Sequence, residues 1–330
     1  MSDCFIPEQR GKAIAMYSVT PLLGPALGPI AGGFIAENTS WRWIFYAISI
    51  ADAVVQVSGI FFLSETYGPK ILQSRAKKIR KRTQDNSFQT EVERQNLSVI
   101  RNVGNSLIRP FRLLTTQPIV QFLALYMAYV YGILYLVLST FSSLWTSPAH
   151  YGESVAISGL NYISLAVGFW LGFQICVMFN DYIYRRFTRR NDNVGRPEFR
   201  TPLLSVATAL IPSGLFIYGW SAQKNYHWIV PNIGAAIFGV GNIIAYQCIQ
   251  TYLVDAYSRF TASALAGVVF MRSLCGFCFP LFAPYMYNTL DYAWGNSVLA
   301  FCSLGIGIPA PIVLWKFGQR LRKVSRYAAD

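Results

Sequence analysis

The chain has 330 residues and a formal net charge of +13, yet only 13% of its residues are charged while 53% are hydrophobic. A soluble globular domain usually contains about 25% charged residues, so this composition excludes such a domain and favours an integral membrane protein. The basic residues are scattered over short polar segments, which argues against a nucleic-acid partner despite the positive charge.

Eight apolar segments occur along the chain, each close to the roughly 20 residues that a helix needs to cross a bilayer. A chain inside lipid must satisfy its backbone hydrogen bonds within each segment, so we expect helices throughout. The sequence therefore predicts an all-α integral membrane protein. The predicted spans are residues 13–36, 43–63, 118–141, 156–180, 201–220, 229–253, 262–284 and 295–315.

Small residues form a regular pattern in the first predicted span. Gly24, Gly28 and Gly32 recur at every fourth position, which places them on one helix face where a neighbouring backbone can approach closely. With Pro29 and Gly33 they complete the string Gly-x-x-x-Gly-Pro-x-x-Gly-Gly. This string resembles the motif in the fifth span of major facilitator superfamily antiporters, and every fixed position of that motif is filled.

The second predicted span contains one carboxylate, Asp52, near its middle, with Gln56 one turn later. Charged groups are costly in the hydrocarbon region of a bilayer, so those that occur there are functional candidates. Asp52 is therefore the candidate proton carrier. The alternative is a structural carboxylate that bonds a backbone or hydroxyl group, or that lies beside a water-filled flank.

A polar segment at 64–117 separates the first two predicted spans from the six that follow. Of the 28 Lys and Arg residues, all except Arg42, Lys224 and the intramembrane Arg272 fall on one side of the predicted spans. Because basic loops favour the cytoplasmic side of a membrane, we expect this segment and both termini in the cytoplasm.

Short strings along the chain carry a closer resemblance. Glu65-Thr66-Tyr67 after the second span, and Arg109-Pro110-Phe111 before the third, look like the central loop of fungal multidrug:proton antiporters of the twelve-span type. Further matching strings are Trp41-Arg42-Trp43-Ile44-Phe45, Tyr131-Gly132-x-x-Tyr135-Leu136, His227-Trp228-Ile229-Val230-Pro231, Gln250-Thr251-Tyr252-Leu253-Val254-Asp255 and Trp294-Gly295-Asn296.

The resemblance implies a major facilitator fold, in which two six-helix halves enclose a substrate path. Residues 1–63 would form the last two helices of the N-terminal half and 64–117 the cytoplasmic central loop. Residues 118–315 would form the C-terminal half, and 316–330 a basic cytoplasmic tail. Aligned in this way, the fold is incomplete: we expect about eight transmembrane helices of twelve, with the first four spans absent.

Polar and aromatic stripes follow two of the predicted helices. Tyr131 and Tyr135 share a face of the third span, and Asn242, Tyr246 and Gln250 recur at every fourth position of the sixth. The resemblance places both helices beside the central path, where rings with hydroxyl tips suit amphipathic organic molecules. The alternative is that these side chains only hydrogen-bond between helices.

Asp181, Arg185 and Arg186 lie where the fourth span ends. They resemble a second, altered copy of the superfamily's Asp-Arg-x-Gly-Arg-Arg loop motif, in which tyrosines replace the first basic residue and the glycine. The resemblance implies a gating latch, with Asp181 facing the positive N-terminal end of the helix that starts near Gly11. Ordinary solvation of a helix end is the alternative.

Arg272 lies about midway along the seventh span. It has the chemistry to attract an anionic substrate or to neutralise a carboxylate. Alternatively, its guanidinium bonds helix carbonyls or extends along its apolar stem toward the membrane surface. The nearby pair Cys275 and Cys278 has metal-site spacing but lies within the span, so we interpret both thiols as packing residues and predict neither a metal nor a cofactor.

Together these features predict a transporter and not an enzyme. The resemblance implies proton-coupled efflux of drugs, toxins or secondary metabolites by alternating access, in the plasma membrane. The expected partners are a small organic substrate, protons and the lipid bilayer. Two alternatives stay open: a truncated, non-transporting remnant or interaction protein, and a nutrient uptake symporter, against which the antiporter-like glycine string argues.

Overall fold

The computed structural model describes residues 24, 28–62, 65, 68–85, 89–90, 99–257 and 260–323. Within these residues every regular element is a helix, and six helical stretches are long and apolar enough to cross a membrane. The predicted fold class, all-α and membrane-spanning, is confirmed. Of the first predicted span only residue 24 and residues 28–36 belong to the described part; the rest of 13–36 lies outside it.

The described residues divide into two compact units, one holding residues 38–107 and the other the remainder. A helix over residues 28–38 (α1) leads to α2, Trp41–Phe62, which is apolar along its length and has no buried residue. Apolar side chains on every face are stable in lipid or against another protein surface, but not in water. The predicted span 43–63 thus coincides with a helix whose surroundings must be apolar.

The described residues of the polar segment 64–117 include two helices, α3 (Gly68–Thr83) and α4 (Val99–Thr116). The last turn of α3 carries Arg80, Lys81 and Arg82, and cations are favourable near the negative end of a helix. Pro110 lies inside α4, where a proline weakens the hydrogen-bond ladder. The carbonyl of Pro110 lies against Gly267: a side chain there would place its Cβ 3.0 Å from that oxygen.

The second unit is a bundle of long helices. Two of them, α5 (Pro118–Thr146) and α7 (Tyr162–Arg190), contain 29 residues each, about 43 Å at 1.5 Å per residue. Both therefore exceed the roughly 30 Å of a hydrocarbon core. The others are α6 (Val155–Leu160), α8 (Thr201–Gln223), α9 (Ile229–Ala256), α10 (Thr261–Gly307) and α11 (Pro309–Lys323), with a 3₁₀ turn at Pro197–Arg200.

The helices pack where small residues meet. Gly172 of α7 lies against Val240 of α9: a side chain at Gly172 would place its Cβ 2.7 Å from the Val240 carbonyl oxygen. Gly234 of α9 lies equally close to Tyr218 of α8. The ring of Phe141, fully buried on α5, packs against aromatic rings on its own helix, on α7 and on α8. The core of the bundle thus forms where glycines allow close approach and large rings fill the remaining volume.

The predicted span 156–180 is interrupted at Asn161, between α6 and α7. The Asn161 side chain donates to Glu153 at 2.7 Å and accepts from Asn232 of α9 at the same distance. A polar side chain at a helix break in an apolar region needs such partners. Asn161 therefore ties the break to α9 and to the loop that precedes α6.

The 47 residues of α10 are two helical arms joined at Asp291, which has φ 54° and ψ −179°. Two contacts show that the arms run back along each other. The hydroxyl of Tyr129 on α5 donates to the Leu299 carbonyl at 2.7 Å, while its ring lies 6.3 Å from that of Phe279. Twenty residues of straight helix would span about 30 Å, so the chain must reverse. The predicted spans 262–284 and 295–315 correspond to these arms.

Candidate functional site

Tyr131 and Tyr135 form an aromatic pair on one face of α5. Their ring centroids lie 4.7 Å apart, and the hydroxyl of Tyr131 donates to that of Tyr135 at 3.3 Å. Tyr135 remains 41% exposed. Because the residues are one helical turn apart, the backbone of α5 alone fixes their relation. The pair presents a hydroxyl and a ring face away from the core.

Arg272 of α10 lies over two tyrosine rings from different helices. Its guanidinium carbon is 4.6 Å from the centroid of Tyr131 on α5 and 5.1 Å from that of Tyr246 on α9. Both distances are in the range of a cation–π interaction. Four of the predicted polar positions, on three helices, thus come together: Tyr131, Tyr135, Tyr246 and Arg272, called here the tyrosine–arginine cluster.

Gly276 lies one turn after Arg272 and allows α10 to approach the tyrosine pair. A side chain at this position would place its Cβ 3.1 Å from the Tyr131 ring and 3.7 Å from that of Tyr135. The ring of Tyr131 is therefore held between the guanidinium above and the bare backbone at Gly276. The geometry requires a residue without a side chain at this point of α10.

The other two members of the predicted α9 stripe do not join the cluster by any contact in the described residues. Asn242 is only 4% exposed, and its Nδ2 atom has no hydrogen-bond partner there. Gln250 is partly buried. The stripe therefore contributes one ring, that of Tyr246, to the cluster.

Two members of the glycine string contact a neighbouring helix in the described residues. A Cβ at Gly33 would lie 2.9 Å from the Val155 carbonyl oxygen of α6. The carbonyl oxygen of Pro29 would lie 2.8 Å from a Cβ at Gly159. At Gly24, Gly28 and Gly32, no atom of the described residues lies within 4 Å of the position that a Cβ would occupy, so close packing at these three glycines stays a prediction.

Asp52, the candidate proton carrier, is exposed on α2, as is Gln56. Within the described part of the chain, neither forms a hydrogen bond or ion pair with a side chain or backbone group. The structure therefore supplies no partner of the kind that the structural interpretation of Asp52 requires.

Asp181, the predicted latch residue, pairs with Arg200 at the start of α8. The two side chains meet at 2.7 Å, and Arg200 also donates from Nε to Asp255 at 3.0 Å. The guanidinium further lies over the ring of Tyr184, 4.2 Å from its centroid. The Arg200 side chain is only 13% exposed, whereas those of Asp255 and Asp181 are 28% and 64% exposed, so the guanidinium is the shielded centre of the network.

The other two predicted latch residues, Arg185 and Arg186, are exposed. The helix start near Gly11 that the resemblance implies as partner of Asp181 lies outside the described residues. A second ion pair lies nearby, between Glu198 and Arg322 at 2.8 Å, with both side chains at least 90% buried.

Arg200, Asp255, Glu198 and Arg322 had no role in the sequence-based prediction of the site. In the sequence, Arg200 and Arg322 were explained by the excess of basic residues in the loops on one side of the membrane. Their acidic partners could not be found by spacing, because the ion pairs join residues 19 to 124 positions apart. The available signal was the occurrence of three acidic residues, 181, 198 and 255, in polar stretches otherwise dominated by Arg.

The opposite end of the bundle carries neutral hydrogen bonds instead of ion pairs. His150 Nδ1 lies 2.9 Å from Asn225 Oδ1, and the Tyr151 hydroxyl donates to the Tyr226 carbonyl at 2.8 Å. In the loop before α6, burial raises the pKa of Glu153, and the hydrogen bond from Asn161 partly opposes this shift. The two ends of the bundle therefore differ in chemistry, as the distribution of basic residues predicted.

The described residues contain no group of three or more His, Cys, Asp or Glu side chains placed to hold a metal ion. Cys275 and Cys278 are both unpaired thiols.

Comparison with known proteins shows what the chain is similar to. Residues 1–280 match the profile described as Major Facilitator Superfamily. The chain is 47% identical over 329 residues to "Efflux pump vrtL" of Penicillium aethiopicum, covering 100% of this chain and 64% of that protein. It is 45% identical over 325 residues to "Uncharacterized transporter C1529.01" of Schizosaccharomyces pombe, covering 98% of this chain and 66% of that protein.

A third relative is "Probable efflux pump mfs2" of Aspergillus flavus, 40% identical over 324 residues, which cover 98% of this chain and 76% of that protein. All three relatives are fungal, as the resemblance implied. The chain spans about two thirds of the length of the first two relatives.

Proposed function

This chain belongs to the Major Facilitator Superfamily, and from that premise we propose that it exports small organic molecules by alternating access, driven by the proton gradient. Support for the direction of transport comes from relatives that are named efflux pumps. Export places the protein in the plasma membrane, with both termini and the Asp181–Arg200–Asp255 network on the cytoplasmic side. The concentration of Arg and Lys at that end of the bundle supports this orientation.

The observation that carries the proposal is the convergence of Tyr131, Tyr135, Tyr246 and Arg272. Aromatic rings with polar tips can bind many amphipathic molecules, because ring stacking and apolar contact need no fixed pattern of hydrogen bonds. In this proposal residues 118–315 form one half of the transporter and residues 1–63 belong to the other. The cluster lies on the substrate path between the halves.

Asp52 is the proposed proton carrier. A carboxylate on an apolar helix without a partner in the described residues can exchange a proton without breaking an ion pair. Asp181 is proposed to act at the cytoplasmic gate by releasing Arg200. Neither step requires a cofactor.

Export by the 330-residue chain in yeast cells tests the proposal. Cells expressing the chain are loaded with planar aromatic dyes, and the rate of dye loss is followed at external pH 5 and pH 7. We expect faster loss at pH 5 and its abolition by a protonophore. Dye loss at the rate of cells carrying an empty vector would contradict export.

The role of Asp52 is tested by D52N, with D192N at an exposed loop carboxylate as the matched control. If Asp52 carries the proton, D52N abolishes the pH dependence of dye loss but retains exchange of dye between the two sides of the membrane. D192N keeps both activities. An unchanged pH dependence in D52N would instead support the structural interpretation of this residue.

A further inference from the structure

Arg272 is a guanidinium with no anionic partner among the described residues. It forms no hydrogen bond or ion pair there, and its Nε atom is buried without an acceptor. The neighbouring side chains of α10, Leu274 and Phe277, are exposed hydrophobics, so this part of the helix belongs in an apolar environment. An unpaired charge in such an environment is costly, and the cost falls sharply when an anion binds.

The two tyrosine rings hold the guanidinium without saturating it. Tyr131 and Tyr246 contact the cation with their ring faces, which supply no hydrogen-bond acceptor to its N–H groups. Ring faces and the backbone at Gly276 fix the position of Arg272 and of Tyr131 before any ligand arrives. A preorganised guanidinium with open donors matches a carboxylate, whose two oxygens accept two parallel hydrogen bonds, and it can also bind the single oxygen of a phenolate.

The exposed Tyr135 supplies the second half of a binding site. Its ring lies 4.7 Å from that of Tyr131, and its hydroxyl already accepts from the Tyr131 hydroxyl. The Tyr135 hydroxyl can therefore donate outward, and its exposed ring face can stack on a planar ligand. The Tyr131 ring adjoins both groups, 4.6 Å from the Arg272 guanidinium carbon and 4.7 Å from the Tyr135 ring, so a single small molecule can reach both.

We infer that the tyrosine–arginine cluster is a binding site for planar aromatic acids, with Arg272 holding the anionic group and Tyr135 stacking on the ring. This inference rests on the proposed export function, since it names the substrate class that the path accepts. A cationic aromatic molecule is disfavoured at the same site by the charge of Arg272. A neutral aromatic molecule can stack on the Tyr135 ring, but it supplies no anion to pair with the Arg272 guanidinium.

Equilibrium binding to the purified 330-residue chain in detergent tests the inference independently of transport. The probes are two dyes built on the same three-ring xanthene: fluorescein, an anion at pH 7.5, and rhodamine 123, a cation. Fluorescence anisotropy should show fluorescein binding at least about tenfold more tightly than rhodamine 123. Equal affinities, or tighter binding of rhodamine 123, would overturn the substrate class.

The variants R272Q and R272K identify the group responsible. We expect R272Q to weaken fluorescein binding at least about tenfold and to leave rhodamine 123 binding equal or stronger, while R272K, which keeps the charge but loses the planar fork, lies between. The matched control is R109Q, because Arg109 also lies over an aromatic ring, 5.2 Å from the centroid of Phe260, but on α4. R109Q should bind both dyes like the parent chain.

Equal loss of both dyes in R272Q, with R109Q unaffected, would show that Arg272 maintains the structure of the cluster and does not select an anion, and would overturn the inference. Retained rhodamine 123 binding in R272Q serves as the check that the variant is folded. If fluorescein binding depends on Arg272 but the chain exports no dye, the proposed export function is wrong and the binding site stands. If the chain exports rhodamine 123 but does not bind fluorescein selectively, export stands and the inferred substrate class of aromatic acids is wrong.

Discussion

Arg200 shows how a single residue organises one end of the bundle. Its side chain joins Asp181, within the second half of α7, to Asp255 near the end of α9, and Arg200 itself lies at the start of α8. The three helices are therefore connected by one guanidinium that is mostly buried. Removing it leaves two carboxylates near each other without a cation, whereas removing Asp181, whose side chain is 64% exposed, leaves Arg200 paired with Asp255.

We therefore expect R200Q to lower the free energy of unfolding by about 1–3 kcal/mol, and D181N by less than about 1 kcal/mol. The measurement is the thermal melting temperature of the purified chain in detergent, with R190Q at an exposed arginine as control. A melting temperature of R200Q equal to that of R190Q would show that the network does not stabilise the fold.

Glu153 makes the stability of the opposite end depend on pH. Because burial raises its pKa, the folded protein binds the proton more tightly than the unfolded chain does. Protonation therefore stabilises the fold as pH falls through the raised pKa, and the gain is complete below the ordinary value of 4.5. E153Q keeps an acceptor for Asn161 but never carries the charge.

The melting temperature of E153Q should exceed that of the parent chain at pH 7, and the difference should shrink as the pH approaches 4.5. D192N, at an exposed loop carboxylate, should differ little from the parent chain over the same range. A gap between E153Q and the parent chain that does not change with pH would contradict the assigned cause.

At the scale of elements, close helix packing depends on glycines whose partners the sequence did not reveal. Sequence periodicity located the helices, because about 20 apolar residues between polar stretches have few alternatives in lipid. It did not reveal that, in the described residues, α1 contacts α6 through Gly33. Spacing identifies a small-residue face, but which face meets a neighbour depends on helix rotation, and rotation is set by partners distant in sequence.

The candidate site shows the same difference between what spacing within a helix predicts and what the arrangement of helices decides. Helical spacing predicted that Tyr131 and Tyr135 share a face of α5. That Tyr246 of α9 lies beside the same path was implied only by the family resemblance. The contact with Arg272 depends on where α10 lies beside α5 and α9 and on its rotation, and the predicted span 262–284 gives neither. The separate spans 262–284 and 295–315 predicted a break in the chain between them, but not that Asp291 is the residue at which the helix reverses.

A matched pair of glycine substitutions tests the packing. In G172L the new side chain meets the backbone carbonyl of Val240, which cannot move without displacing α9. We expect a loss of about 1–3 kcal/mol or more of stability, seen as a lower melting temperature and a smaller monodisperse peak in size-exclusion chromatography. G305L should be tolerated, since no described atom lies within 4 Å of its Cβ position. Equal behaviour of the two variants would contradict the contact between α7 and α9.

At the scale of the whole molecule, the two ends of the bundle predict an orientation in the membrane. Ion pairs and exposed arginines lie at the end that holds Arg190, and neutral hydrogen bonds lie at the end that holds Lys224. In a background with the native cysteines replaced, K224C should react with an impermeant maleimide in intact cells. R190C should react only after the cells are permeabilised, and labelling of R190C from outside would invert the proposed orientation.

The central claim is that these helices carry solutes across a bilayer at the expense of a proton gradient. Proteoliposomes containing only the purified chain test it most directly, with a planar aromatic dye outside and an imposed pH gradient. We predict that the dye accumulates against its own concentration gradient when the interior is acid, and that nigericin, which dissipates the pH gradient, reverses the accumulation. Dye entry equal to that of protein-free liposomes, with or without the gradient, would contradict the account.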